Sequence, residues 1–130
     1  MGKIMVIDDN SDFLTLMETW LVSEQFDVYL CQDSASAIDR ARDERPNLII
    51  LDLLMPNKPG IEVLSDLKMD SVTRKIPVIV LTAASRQAEE TELLVRRLAE
   101  ERMLKPFDFD HLLSRINRCL GKRDCESNLA

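Results

Sequence analysis

The sequence NLIILDLLMP, residues 47–56, combines a continuous apolar run with a carboxylate, Asp52, directly after it. A short run of Leu and Ile that is apolar at every position is typical of a strand buried on both faces of a parallel sheet. Pro56 and Gly60 follow closely and indicate a loop after that strand. The stretch therefore predicts a central parallel strand that presents an acidic side chain at its carboxyl end.

The same patterns predict further strands and helices that alternate along the chain. The other strands are expected at residues 3–7, 26–31, 77–81 and 102–104. Between strands, apolar residues recur at helical spacing, as in Phe13, Leu16, Met17, Trp20 and Leu21. Strands separated by helices pair in parallel through right-handed crossovers. The predicted fold is therefore α/β, a flavodoxin-like doubly wound three-layer sandwich with five helices and a five-stranded parallel sheet in the order 2-1-3-4-5.

The composition indicates one globular domain. The chain has 130 residues, of which 45% are apolar and 31% are charged, a balance typical of soluble folded proteins. No apolar run is long enough for a membrane span, and the N-terminal MGKIMVIDD turns acidic where a signal peptide would stay apolar. We therefore expect a cytoplasmic protein. The folded domain is predicted at residues 1–121, and residues 122–130, which lack an apolar face, are predicted to form a disordered tail.

Charge and cysteine content argue against two further classes. The formal net charge of −6 opposes direct nucleic-acid binding by this domain, because such binding needs a basic surface that replaces phosphate counterions. Cys31, Cys119 and Cys125 are odd in number and lack the spacing of metal ligands. We therefore expect reduced thiols rather than a disulfide framework or a zinc site.

Five polar residues lie where predicted strands end. Asp8 and Asp9 follow the first strand, Asp52 the third, Thr82 the fourth and Lys105 the fifth. Because ligands bind beyond the carboxyl ends of the strands in an open parallel sheet, we expect these side chains to converge in one crevice. Three carboxylates, a hydroxyl and an ammonium suit a divalent cation that holds a phosphoryl group on an aspartate.

Each of these residues also has a purely structural interpretation. Asp8 or Asp9 could cap the following helix, and Asp52 could be a turn residue. Thr82 could be present for packing within a strand, and Lys105 could be a solvated loop lysine. However, capping needs only one acid, and two adjacent carboxylates that face a third repel one another unless a cation or a proton binds. The joint placement of all five residues therefore favours a functional site.

Four sequence motifs stand at the ends of the predicted strands. They are Val-Ile-Asp-Asp in the first strand, Leu-Asp-Leu-Leu-Met-Pro-Asn-Lys-Pro-Gly from residue 51, Leu-Thr-Ala-Ala from residue 81 and Leu-Lys-Pro-Phe from residue 104. In this order and at these separations, the motifs resemble those of the receiver domain of a two-component response regulator. The resemblance covers about residues 3–120.

The resemblance implies a phosphorylation-controlled signalling domain. Asp52 is expected to accept a phosphoryl group from a histidine kinase or phosphotransfer protein, and the modified domain is expected to change its binding to a downstream protein. Such a domain is not an enzyme acting on other substrates, since it assists only its own aspartyl phosphorylation and dephosphorylation. No membrane partner is implied, and a phosphorylation-dependent homodimer is left open.

The resemblance also implies Mg²⁺ as the cofactor. Asp9 is expected to bind the ion directly and Asp8 to bind it through water. Asp52 and the backbone carbonyl of Leu54 are expected to complete the protein ligands.

The same resemblance assigns the switch residues. Thr82 is expected to bond a phosphoryl oxygen, and Lys105 to pair with the carboxylate or the phosphoryl group, with a cis bond between Lys105 and the following proline. Three residues before Lys105, Arg102 stands where the family has an aromatic switch residue. Because burial of an unpaired charge is disfavoured, we expect Arg102 on the surface, paired with Glu100, Glu101 or a partner protein. An alternative function is therefore a receiver-fold interaction module with atypical or phosphorylation-independent switching.

Other classes of protein fit the sequence less well. An aspartyl-phosphate hydrolase places its nucleophile on the first strand with a second Asp two residues later, and Asp8-Asp9-Asn10 lacks that spacing. A flavin carrier or P-loop enzyme needs a glycine-rich phosphate loop, whereas the three glycines of this chain are far apart. His111 is the single histidine and is expected on the outer face of the last helix, without a role in phosphotransfer.

Overall fold

Five strands and five α-helices alternate along the described part of the chain. The computed structural model describes residues 2–83 and 89–129, with side chains described through Gly121. The strands are β1 (Lys3–Ile7), β2 (Asp27–Cys31), β3 (Leu48–Asp52), β4 (Val78–Thr82) and β5 (Glu101–Leu104). The helices are α1 (Ser11–Ser23), α2 (Ala37–Glu44), α3 (Gly60–Met69), α4 (Glu89–Leu98) and α5 (Phe109–Leu129), and a 3₁₀ turn at Ser34–Ser36 precedes α2.

The strands form one parallel sheet in the order β2-β1-β3-β4-β5. Within it, Ile7 at the end of β1 pairs with Cys31 of β2 on one side and with Leu51 of β3 on the other. The connection from β1 leads to β2 on one side, whereas the connection from β3 leads to β4 on the other side, so a crevice opens beyond the carboxyl ends of β1 and β3. The predicted α/β fold class and strand order are confirmed.

Helices cover both faces of the sheet and create two buried layers. Ile49 and Leu51 of β3 lie in the layer that contains α2, α3 and α4. Leu48 and Ile50, which alternate with them, lie in the layer that contains α1 and α5. Because successive side chains of a strand point to opposite faces, a strand covered on both sides must be apolar throughout. This is why β3 lacks the alternation of apolar and polar residues.

The observed boundaries differ slightly from the predicted ones. Asp52 and Thr82 are the last residues of β3 and β4 rather than the first residues after them. Helix α5 runs through Leu129, beyond the predicted end of the folded domain at residue 121, and its last residues include good helix formers such as Lys, Arg and Glu. The side chains after Gly121 lie outside the described part, so the domain boundary stays a prediction.

The cysteines agree with the sequence analysis as far as they are described. Cys31 and Cys119 are buried, and neither forms a disulfide with another described residue. Cys125 lies among the residues whose side chains are not described. No helix among the described residues is both long enough and apolar enough to cross a membrane.

Candidate functional site

Three carboxylates meet at the carboxyl ends of β1 and β3. Asp8 and Asp9 follow β1 directly, and Asp52 ends β3, its neighbour in the sheet. One carboxylate oxygen from each of the three residues lies within 4.8 Å of the other two. Asp8 and Asp52 are buried, whereas Asp9 is half-buried. We call this group the acidic cluster.

The helix that follows the cluster is capped by a different residue. The side chain of Asn10 accepts a hydrogen bond from the Phe13 amide at 3.1 Å, which is the geometry of an N-cap. Asp8 accepts a hydrogen bond from the Asn10 amide at 2.9 Å, which fixes the turn between β1 and α1. Neither Asp8 nor Asp9 is therefore the helix cap.

Lys105 directs its ammonium into the acidic cluster. Its backbone amide donates to the carbonyl of Thr82 at 2.8 Å, so the residue after β5 is held against the end of β4. Its Nζ atom lies 2.9 Å from Asp8 Oδ2 and 4.0 Å from Asp52 Oδ2. The side chain is only 21% exposed, so Lys105 is not a solvated loop lysine. The bond from Lys105 to Pro106 is cis, as the resemblance implies.

Burial and nearby charge raise the pKa of Asp52 to about 6. The largest cause is loss of solvation, followed by the negative charge of Asp8. The ammonium of Lys105 and the amide of Leu54, which donates to Asp52 at 3.3 Å, act in the opposite direction but do not cancel the first two effects. The site therefore contains more negative charge than its own cation balances, which is the condition that favours a bound divalent metal ion.

Thr82 and Leu54 lie at the end of β4 and in the loop after β3, respectively. Thr82 is fully buried at the end of β4, next to β3, where Asp52 pairs with Leu81. Leu54 lies two residues after Asp52 in the loop that leads to α3, and its side chain is exposed. Metal binding by the Leu54 carbonyl and phosphoryl binding by Thr82 stay predictions.

Gly60 allows α3 to begin directly beside the acidic cluster. Its amide donates to the Leu53 carbonyl at 3.1 Å. A Cβ atom at this position would lie 2.3 Å from the Asp52 carbonyl oxygen and 2.5 Å from the Leu53 Cα atom. Only a residue without a side chain fits such a close approach of two backbone segments.

Arg102 differs from the prediction in its partner and in its burial. Its guanidinium forms a bidentate ion pair with Glu92 of α4, with N–O distances of 2.7 and 2.8 Å, and its side chain is only 29% exposed. The predicted pairing with Glu100 or Glu101 is wrong. Arg102 pairs with Val80 in the sheet, and Val80 belongs to the layer covered by α4, so the arginine points toward that helix. Its Nε atom is buried and has no hydrogen-bond partner among the described residues.

The two glutamates before Arg102 bind other helices. Glu100 pairs with Lys68 of α3 at 2.9 Å and accepts a hydrogen bond from the Val78 amide at 2.6 Å. Glu101 pairs with Arg115 and Arg118 of α5. Three consecutive residues thus connect the start of β5 to three different helices.

Two side chains near the site were not identified from the sequence as functional candidates. The Phe13 ring lies under the Lys105 ammonium, with 4.0 Å between Nζ and the ring centroid. Glu92 is the partner of Arg102. Phe13 was predicted only as part of the apolar face of α1, and Glu92 was one of several acids in α4, so neither carried a specific signal.

His111 is exposed on α5, consistent with the predicted outer face.

Comparison with known proteins identifies the family. The model of the response regulator receiver domain matches residues 4–117, which is most of the chain. The chain belongs to the response regulator receiver domain family. The receiver-domain fold and the acidic cluster at its strand ends agree with that membership.

Curated relatives of this receiver domain are longer proteins. The response regulator ArlR of Staphylococcus saprophyticus is 31% identical over 129 residues, a match that covers 99% of this chain and 56% of the relative. The DNA-binding response regulator MtrA of Mycobacterium leprae is 31% identical over 124 residues, covering 95% of this chain and 53% of the relative. The chain thus spans about half the length of these relatives.

Solved structures share the receiver fold. The receiver domain of the sensor histidine kinase PA1611 from Pseudomonas aeruginosa PAO1, solved with a magnesium ion in its active-site cleft, has a TM-score of 0.83 and 26% identity, covering 92% of this chain and 98% of that one. A CheY-like receiver domain protein from Methanospirillum hungatei has a TM-score of 0.88 at 20% identity, covering 97% and 98% of the two chains. The second similarity concerns the fold alone.

Proposed function

We propose that this receiver domain takes up a phosphoryl group on Asp52 and thereby changes its binding to a downstream protein. The observation that carries the proposal is the position of the Asp52 carboxylate. It is buried, lies within the acidic cluster and is 4.0 Å from the ammonium of Lys105. A carboxylate in a simple surface turn needs neither two acidic neighbours nor a lysine directed at it.

The acidic cluster fits Mg²⁺ by its donor chemistry. Mg²⁺ prefers oxygen ligands and is usually held by one or two carboxylates together with water and a phosphoryl group. We propose that Asp9 and Asp52 hold the ion directly, that Asp8 holds it through water and that the Leu54 carbonyl adds a further oxygen. When bound, the ion neutralises negative charge on the oxygens of the transferring group.

Asp52 supplies the nucleophile in the proposed transfer. One of its carboxylate oxygens forms a bond to phosphorus while the bond from phosphorus to the nitrogen of a donor phosphohistidine breaks, and the electron pair stays on the departing nitrogen. Because a carboxylate is a weak nucleophile, the transfer depends on positioning and on neutralisation of charge. Lys105 supplies a fixed positive charge, and Thr82 is proposed to donate its hydroxyl to a phosphoryl oxygen.

The partners follow from the same chemistry. The phosphoryl donor is proposed to be a histidine kinase or a phosphotransfer protein, and the receiver is proposed to act on no other substrate. Relatives named as DNA-binding response regulators are about twice as long as this chain, so we assign no DNA binding to this domain. A cytoplasmic location is consistent with these partners and stays a prediction.

The decisive experiment is intact-mass analysis after incubation with acetyl phosphate or phosphoramidate and Mg²⁺. We expect one phosphoryl group per chain on wild-type protein and none on Asp52→Asn. His111→Gln serves as the control and should be modified like the wild type. A phosphoryl group on His111, or on Asp52→Asn, would contradict the proposal.

The ion pair between Arg102 and Glu92 favours a second candidate, an interaction module that does not switch on phosphorylation. A guanidinium held by two hydrogen bonds to a carboxylate of α4 cannot leave that helix without breaking the ion pair. In this alternative, partner binding by the wild type is the same before and after addition of beryllofluoride, a phosphoryl mimic. In the main proposal, beryllofluoride changes partner binding.

A further inference from the structure

The ammonium of Lys105 has a third neighbour besides the two carboxylates. The Phe13 ring lies beneath Nζ, 4.0 Å from the ring centroid. At this distance the negative face of an aromatic ring attracts a cation, and the attraction grows when water is excluded. Both side chains are only partly exposed. Lys105 is therefore held between Asp8 on one side and an aromatic ring on another.

The contact with the ring is important because Asp8 interacts with two different cations. It pairs with Lys105 at 2.9 Å, and it also belongs to the acidic cluster proposed to hold Mg²⁺. A metal ion and the Lys105 ammonium would thus compete for the negative charge of the same carboxylate. Lysine is a flexible side chain with about 2 kcal/mol of rotamer entropy, so it needs a contact that a metal ion does not weaken. The uncharged ring of Phe13 is such a contact.

Phe13 is itself held in place by other rings. It makes an edge contact with Phe107, with ring centroids 6.2 Å apart, and Phe107 makes a second edge contact with Phe109 at 5.5 Å. Phe109 packs on Trp20 of α1 at 4.6 Å. This aromatic row, Phe13, Phe107, Phe109 and Trp20, connects α1 to the segment that directly follows Lys105. The row therefore fixes the Phe13 ring relative to the backbone of Lys105.

We propose that Phe13 is a positioning residue for the phosphorylation of Asp52. Its ring face keeps the Lys105 ammonium directed at Asp52 when Asp8 turns to the metal ion. The inference rests on the proposed function, because it assigns to Lys105 a role in the transfer. It adds a residue outside the acidic cluster, on the first helix, to the groups on which the rate of transfer depends.

The test changes the electrostatic potential of the Phe13 ring face while keeping the shape of the ring. Mono-, tri- and pentafluorophenylalanine at position 13 progressively remove the negative potential of the ring face with little change in volume. We expect the rate of Asp52 modification by phosphoramidate to fall stepwise along this series. Phe13→Leu should lower the rate about three- to tenfold, and Phe13→Tyr, which keeps an electron-rich ring, should restore most of it. A flat fluorination series would overturn the proposal, even if Phe13→Leu is slow.

A second readout does not depend on phosphorylation. In the unphosphorylated wild type, the ring current of Phe13 should shift the ε-methylene proton resonances of Lys105 upfield, and Phe13→Leu should abolish that shift. If the shift is present but Asp52 is never modified, the proposed function fails while the contact stands. If Asp52 is modified but the shift is absent, the positioning role fails alone.

Phe26→Leu is the matched control for loss of a ring. Phe26 is buried in the same layer as α1 but lies just before β2, at the amino end of the sheet. We expect it to lower stability without changing the rate of Asp52 modification or the resonances of Lys105. An equal loss of rate in both Leu variants would show that general packing is responsible and would overturn the proposal.

Discussion

Arg102 and Glu92 form a bidentate ion pair that joins β5 to α4, with Nη1 2.7 Å from Oε2 and Nη2 2.8 Å from Oε1. Arg102 stands where the resemblance to receiver domains implies an aromatic switch residue. Both side chains are largely shielded from water, so the interaction is stronger than that of a typical surface pair. The ion pair is therefore an electrostatic link between β5 and α4 in this protein.

We expect Glu92→Gln to lower the free energy of unfolding by about 1–2 kcal/mol, because it leaves a partly buried guanidinium without its counter-charge. A urea-unfolding cycle with Arg102→Met and the double variant measures the coupling between the two residues. Glu90→Gln, on an exposed position of the same helix, is the control. Additive effects within about 0.3 kcal/mol would show that the pair contributes nothing.

The second prediction concerns the response of α4. Because Glu92 is held by Arg102, we expect beryllofluoride to change backbone resonances mainly around Asp52, Thr82 and Lys105, with smaller changes on the outer face of α4. NMR spectra of free and beryllofluoride-bound protein measure this. Large changes across residues 86–103 in the wild type that vanish in Arg102→Ala would instead identify Arg102 as the relay.

The raised pKa of Asp52 predicts that this residue destabilises the fold at neutral pH. Its pKa is about 6 in the folded protein against 3.8 for the ordinary side chain, so the folded state holds the proton more tightly. Stability is therefore lost as the pH rises from about 4 through 6. Asp52→Asn should be more stable than the wild type by about 1–3 kcal/mol at pH 8 in EDTA, with the difference shrinking toward pH 4. The exposed substitution Asp43→Asn should show no such pH-dependent difference.

Mg²⁺ should bind the unmodified protein weakly and through the acidic cluster. We expect isothermal calorimetry to detect binding to the wild type and to detect none with Asp9→Asn or Asp52→Ala, because each removes one of three converging carboxylates. Asp12→Asn removes an exposed acid in the first turn of α1 and should bind like the wild type. Unchanged binding in both cluster variants would locate the cation elsewhere.

Gly60→Ala should be disruptive although it adds only a methyl group. Its Cβ would lie 2.3 Å from the Asp52 carbonyl oxygen, so the backbone of the loop or of α3 must move. We expect a loss of about 2–4 kcal/mol in the free energy of unfolding and weaker Mg²⁺ binding, because the same movement displaces Asp52. Gly121→Ala, where the added carbon meets nothing within 4 Å, is the control and should be neutral or slightly stabilising. Equal stability of the two variants would contradict the prediction.

Much of the fold and the site could be predicted from the sequence because both follow from strong local patterns. The continuous apolar runs of β1, β3 and β4 are typical of parallel strands that are buried on both faces. The carboxyl ends of such strands lie at the same edge of the sheet. The meeting of Asp8, Asp9, Asp52 and Lys105 follows from that topology alone. Only the ends of the elements shifted, as for Asp52 and Thr82, since the last hydrogen bonds of a strand depend on its neighbour rather than on its own sequence.

The partners of long charged side chains could not be predicted in the same way. Glu101 is adjacent to Arg102 in sequence, but successive residues of a strand point to opposite faces. Glu100 lies just before β5 and pairs with Lys68 of α3 instead. Glu92 lies on the helix that covers the arginine, and only the packing of α4 brings it within reach. The contact between Phe13 and Lys105 depends in the same way on residues 92 positions apart, in different elements.

The ion pairs at Glu101 and Arg102 also place charges on the exposed edge of the sheet. Strand β5 forms one lateral edge of the sheet, and no further strand among the described residues pairs with its outer side. Exposed borders of this kind template the addition of strands from other molecules unless they are short or charged. β5 is four residues long, and its first two positions carry opposite charges held by α5 and α4. Neutralising either charge therefore removes a barrier to edge-to-edge aggregation as well as a link between strand and helix.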